Sequence, residues 1–97
     1  MAELRFEWDP QKASANLAKH GVPFSEATSA FSDEMGFVLD DPDHSDVEDR
    51  FVLIGLSAEL RVLVVVHCLR ERGQVIRLIS ARRANRIERH QYLVRNS

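Results

Sequence analysis

The chain is expected to adopt an α+β fold in which an N-terminal helical pair and a C-terminal helix pack on a small antiparallel β-sheet. Three observations carry that expectation. Helix punctuation lies near the start, where Asp9-Pro10 opens a helical stretch and Gly21 closes it. From Gly36 to Ser80 the chain runs in short β-branched and aliphatic segments separated by polar turns. Its 97 residues, 44% of them hydrophobic, suffice for one core, so residues 1–97 read as a single domain and a two-domain enzyme is excluded.

Each element has a local cause. Leu4 to Trp8 is short and rich in aromatic residues; Asp9 then supplies an N-cap and Pro10 a preorganised first helical position. The helix should run to about His20, with Ala13, Leu17 and the His20 ring as its apolar stripe and Lys12, Asn16 and Lys19 on a polar edge. Gly21 stops it, and Ser25 can cap a second short helix carrying Ala27, Ala30 and Phe31. Strands are expected at Gly36 to Leu39, Phe51 to Ser57, Arg61 to Leu69 and Gln74 to Ser80, most simply joined as an antiparallel meander. Asp40 to Asp49 is too polar for a core and holds Pro42, so it reads as an exposed loop. A last helix is expected from Ala81 to about Val94, with Ala84, Ile87 and Gln91 on one side.

Several classes of function drop out. The longest apolar stretch, Val62 to Leu69, is far shorter than the roughly 18 residues of a membrane helix. Charges in the first ten residues stand where a secretory signal needs an apolar run, so a cytoplasmic protein with no membrane partner is expected. Cys68 is the lone cysteine and supports neither an intrachain disulfide nor a zinc cage. No serine sits in a nucleophile elbow and no Gly-rich phosphate loop is present.

The formal charge of −2 conceals two opposed segments. Met1 to Glu59 holds 4 basic against 13 acidic residues, a balance of −9, while Leu60 to Ser97 holds 9 arginines and no lysine against Glu71 and Glu88, a balance of +7. Exclusive use of arginine favours nucleic acid or an acidic protein partner, because the planar guanidinium grips phosphate or carboxylate with two donors. The plain alternative is a solvated face paired with the acidic half.

Four constellations invite chemistry. If Glu71-Arg72-Gly73 is a three-residue hairpin loop, Arg70 pairs with Gln74 and His67 stands opposite Arg77, an imidazole beside a guanidinium. A two-residue turn would separate them, and two edge side chains that keep a sheet soluble would look the same. Lys19-His20 is explained by the helix macrodipole without a catalytic role. The acidic loop with His44 lacks the glycine and glutamate spacing of a calcium loop, and no metal is expected. Arg82-Arg83, at the junction of strand and helix, can converge on a phosphate with backbone amides, or simply start a basic helix. An enzyme of this size suits a substrate that brings its own nucleophile, as RNA does with its 2′-hydroxyl.

The residues also resemble a known family. Phe6-Glu7-Trp8-Asp9-Pro10, Lys12, Asn16, Lys19-His20-Gly21-Val22, Phe24 and Ala27 are similar to the opening of the BrnT family, the ribonuclease toxins of BrnT/BrnA toxin-antitoxin pairs. Asp41-Pro42-Asp43-His44-Ser45, Glu48, Arg50-Phe51, Ile54-Gly55, Val64 to His67, Ile76-Arg77, Ile79-Ser80-Ala81-Arg82, Glu88-Arg89 and Tyr92 follow in the same order. Cys68-Leu69 departs from the pattern, where more polar residues are usual.

The resemblance implies a RelE-like fold and metal-independent RNA cleavage that arrests translation, with no cofactor. It also implies neutralisation by a BrnA-type antitoxin carrying a DNA-binding ribbon-helix-helix domain, through which the complex would reach operator DNA. Matching catalytic positions are Lys19, His20, His67, Arg77, Arg82 and Tyr92. Arg77 and Arg82 are expected on the scissile phosphate, Lys19 as further positive charge, and His67 or His20 as the proton exchanger. Arg61, Arg70, Arg83 and Arg86 are assigned to RNA contacts. A rival reading is a noncatalytic module whose basic half holds an acidic antitoxin for operon autoregulation.

Overall fold

The computed structural model describes residues 4–41 and 50–96. The elements in chain order are β1 (Arg5–Glu7), α1 (Pro10–His20), α2 (Phe24–Ala30), β2 (Phe37–Asp40), β3 (Arg50–Leu56), β4 (Val62–Arg70), β5 (Val75–Arg83) and α3 (Arg86–Arg95), with a short 3-10 turn at Glu71–Gly73. The start of α1 follows the local signals, since Asp9 caps it by accepting from the Gln11 N–H at 2.9 Å. At its end, Gly21 adopts φ 70° and donates its N–H to the Leu17 carbonyl.

Strands β2 to β5 form the expected antiparallel meander, and β1 adds at the far edge of β5 in parallel, giving a five-stranded mixed sheet ordered β1-β5-β4-β3-β2. The wholly antiparallel sheet expected from the sequence is thus corrected. Arg5–Glu7 pairs with Val75–Arg77, some seventy positions away, and pairing that distant leaves no local trace. The last helix is also corrected. Ala81 to Arg83 complete β5, and α3 starts only at Arg86, behind an Asn85 cap reciprocated by Glu88.

Alternation along the strands gives the sheet two faces. One packs Leu53, Leu63, Val65, Ile76, Leu78 and Ala81 against the helical pair, which contributes Val22, Phe24, Ala27 and Ala30. On the other, Ile54 and Val64 lie with Tyr92 of α3. The close seat of α2 depends on Gly55, where an added Cβ would come 2.9 Å from the Ala30 carbonyl oxygen. Gly55→Ala is therefore expected to cost about 2 kcal/mol of stability, measured by chemical denaturation.

Asn16 differs most from its expected place. It is 7% exposed rather than on a polar edge, and Leu17, assigned to the apolar stripe, is 49% exposed. The Asn16 amide donates to the carbonyls of Ala81 (2.8 Å) and Val22 (3.0 Å), and its oxygen accepts from the Ala81 N–H at 3.0 Å. Strand β1 stops pairing at Arg77, so the outward edge of β5 at Ala81 has no strand beside it and Asn16 takes that place.

Candidate active-site face

The hairpin between β4 and β5 decides which side chains share a face. Gly73 does adopt φ 85°, but Gln74 belongs to the loop, with its N–H on the Glu71 carbonyl, and Arg70 pairs with Val75. This one-residue change of register sets Cys68, not His67, opposite Arg77. A bulge at Ile79 then shifts the ladder again, pairing Val66 with Ser80. The expected pairing of His67 with Arg77 is overturned, and the two side chains point to opposite faces.

His67 is 3% exposed and lies in the layer beneath the helical pair, edge-on to Phe31 with ring centroids 4.9 Å apart and 6.0 Å from Phe51. Burial lowers its pKa from the ordinary 6.5, against the opposing pull of the Val65 carbonyl at 3.1 Å. The unfolded chain takes up this proton near pH 6.5 while the native ring resists it. Stability present at pH 7 should thus fall as the pH drops below about 6.5, and His67→Phe should flatten that decline in urea titrations at pH 7 and 5.

Arg77 and Arg82 lie on the face that carries α3. Across it runs a row Arg50, Cys68, Arg77 and Glu7 on β3, β4, β5 and β1, and two paired positions further on Val64 stands opposite Arg82. Val66 and Ser80 lie between, outside the cluster that Tyr92 covers. Arg50 was not among the expected site residues, because it sits in the acidic half of the chain.

Both arginines are held by carboxylates. Arg77 Nη1 donates to Glu7 at 2.6 Å. Arg82 forks onto Glu88 through two bonds of 2.7 and 2.8 Å, and Glu88 also accepts from the Asn85 N–H at the start of α3. The hydrogen bond from Arg82 keeps the Glu88 carboxyl below the usual range despite desolvation, so Glu88 is ionised at neutral pH. From Val64 to Cys68 the strand advances about 14 Å at roughly 3.4 Å per residue, so the two guanidiniums, as held, address different points along a substrate. At the junction after β5, the capping box of α3 takes up the backbone N–H groups of Asn85 and Glu88.

The other expected residues are dispersed. Lys19 and His20 end α1, which packs on β5 from the opposite layer. Tyr92 is 8% exposed and donates its hydroxyl to Asp33 at 2.6 Å; desolvation, then the bond to Asp33, raises its pKa to about 12. Burial alone would raise the Asp33 pKa, but bonds from Tyr92 and the N–H groups of Leu56 and Met35 outweigh it and leave it lowered. This cluster ties α3 to the end of β3. Arg61 pairs with buried Glu26 of α2. Arg70 ends β4, Arg83 ends β5 and Arg86 starts α3. Residues 42–49, including His44, lie outside the described residues. No helix is long and apolar enough to cross a membrane, among the described residues.

The family model for the ribonuclease toxin BrnT of type II toxin-antitoxin systems matches residues 8–88. Among solved structures, the ribonuclease toxin BrnT of Brucella abortus is similar, with a TM-score of 0.62 and 25% sequence identity over 86% of this chain and 99% of that one. No curated protein matches by sequence.

Proposed function

The chain belongs to the BrnT family, ribonuclease toxins of type II toxin-antitoxin systems, and on that premise we propose that it cleaves RNA by attack of the RNA's own 2′-hydroxyl, without a metal ion. We assign the reaction to the part of the α3-bearing face between the row of Arg50 and Arg77 and the position of Arg82. The observation that carries this reading is the presence of these guanidiniums on one side of the sheet, beside Ser80 and Val66 that Tyr92 does not cover.

In the proposed step the 2′-oxygen attacks the adjacent phosphorus as its proton passes to water, the P–O5′ bond breaks as water protonates the leaving oxygen, and the products are a 2′,3′-cyclic phosphate and a 5′-hydroxyl end. Arg82, held by Glu88, meets the charge that builds on the phosphoryl oxygens with the guanidinium N–H groups that the fork leaves over. Arg77 holds a neighbouring phosphate along the strand. Tyr92 keeps α3 in place; His67, Lys19 and His20 belong to the opposite layer and take no part in this step. The resemblance further supports a RelE-like single domain at residues 1–97, a cytoplasmic location, arrest of translation, and a BrnA-type antitoxin whose DNA-binding domain brings the complex to operator DNA.

Incubation of purified, antitoxin-free protein with a defined RNA in EDTA, followed by end mapping, tests this. Cleavage leaving 2′,3′-cyclic phosphate ends is expected. A metal requirement with 5′-phosphate products would overturn the mechanism, and binding without a cut would favour the holding module.

A further inference from the structure

The three most exposed large aliphatic side chains of the described residues, Leu60 (80%), Ile87 (70%) and Leu93 (64%), line two shallow hollows beside the start of α3. One, of about 520 Å³, is formed by Arg86, Ile87, Arg89, His90 and Leu93 along the outer side of α3. The other, of about 260 Å³, lies between the β3–β4 turn and the end of β5 and includes Leu60, Arg61 and Arg83. Arg89 belongs to both, so the hollows adjoin. Among the described residues, neither hollow is lined by an Asp or Glu, or by a Phe, Tyr or Trp.

Aliphatic knobs among guanidiniums require an occupant that is both acidic and aliphatic. Single-stranded RNA satisfies the charge and could stack a base on His90 or an arginine plane, but it leaves the aliphatic side chains of Leu60, Ile87 and Leu93 without an apolar partner. An acidic amphipathic peptide satisfies both, with carboxylates on Arg83, Arg86 and Arg89 and leucine-like side chains on Leu60, Ile87 and Leu93. Leu60 also sits at φ 62°, a left-handed conformation that a turn ordinarily gives to Gly or Asn. A bulky aliphatic residue kept there at a cost in backbone strain is consistent with a contact made outside the chain.

We propose that this surface is where an acidic amphipathic segment of the antitoxin docks. The proposal rests on the toxin reading above, and places the antitoxin on the outer side of α3 and the β3–β4 turn.

The test uses the full-length toxin, the purified antitoxin encoded with it, and a 12-nucleotide oligodeoxynucleotide as an RNA mimic that lacks the attacking hydroxyl. Ile87→Ser, Leu60→Ser and Arg89→Glu replace exposed side chains and should leave RNA cleavage and thermal stability unchanged. Each is expected to weaken antitoxin binding at least tenfold while oligonucleotide affinity holds for the two serine variants and falls less than threefold for Arg89→Glu. In cells, the variants should still arrest growth but escape neutralisation. Unchanged antitoxin affinity in all three would overturn the proposal, as would equal losses for the oligonucleotide, which would give the surface to RNA. Leu17→Ser, an exposed aliphatic change on α1, should leave antitoxin binding unchanged; an equal loss there would also overturn it. Absence of RNA cleavage by the unmodified toxin would instead refute the toxin reading, whatever the binding data.

Discussion

Arg82→Ala is expected to reduce RNA cleavage by about a hundredfold to a thousandfold, the usual loss when one preorganised donor to a developing oxyanion is removed. The guanidinium stands on a strand, with its orientation fixed by the two-bond fork to Glu88, so it reaches the reaction without first being ordered. Arg82→Lys keeps the charge and loses the fork, and should recover only part of the activity. Glu88→Gln separates positioning from folding. Glutamine at this third helical position can still accept from the Asn85 N–H and preserve the capping box, but it no longer attracts Arg82 as an anion. Cleavage by Glu88→Gln should therefore lie between the parent and Arg82→Ala, with the circular dichroism spectrum unchanged. Single-turnover rates at saturating RNA measure the effect. An Arg82→Ala variant that cleaves at the parental rate would remove Arg82 from the reaction.

What could be read in the sequence divides by distance along the chain. The ends of α1 were legible because Asp9, Pro10 and Gly21 act on backbone groups within four residues of themselves. The meander of β2 to β5 was legible because each hairpin is local. The end of β5 was also open to reading, since Asn85 and Glu88 have the spacing of a capping box, and using it would have started α3 at Arg86 rather than Ala81. Register was harder. Inclusion of Gln74 in the loop and the bulge at Ile79 each move the ladder by one residue, and one residue exchanges the faces of a strand. Hence Arg77 was read correctly on a strand, whereas Arg82, expected at the start of the last helix, lies on β5 and the histidine expected beside Arg77 lies in the core. The parallel pairing of β1 and the presence of Arg50 in the arginine row come from the tertiary fold, and neither has a local signal.

Asn16 illustrates the same limit and supports the largest expected change in stability. By periodicity it falls between Lys12 and Lys19, and an amide there is naturally read as facing water. In the fold it substitutes for a missing strand, using both ends of its amide on the backbone of Ala81 and a second donor bond on Val22. Asn16→Ala would leave the Ala81 N–H and two carbonyls buried beneath α1 without that partner. Each buried group so abandoned costs about 1 to 3 kcal/mol, and water entering the vacated space offsets part of the sum. A loss of about 3 kcal/mol is the expected net effect, or a fall in melting temperature of roughly 12 to 20 °C for a domain of this size. Asn16→Asp keeps the acceptor for the Ala81 N–H but sets a carboxylate against two carbonyl oxygens, so it should be no better than alanine at neutral pH. Ala81 immediately precedes Arg82, and a β5 edge loosened at Ala81 would also displace the guanidinium. Cleavage by Asn16→Ala should accordingly fall at temperatures where the variant is still fully folded, whereas Gly55→Ala, which perturbs the seat of α2, should lose stability without that early loss of activity.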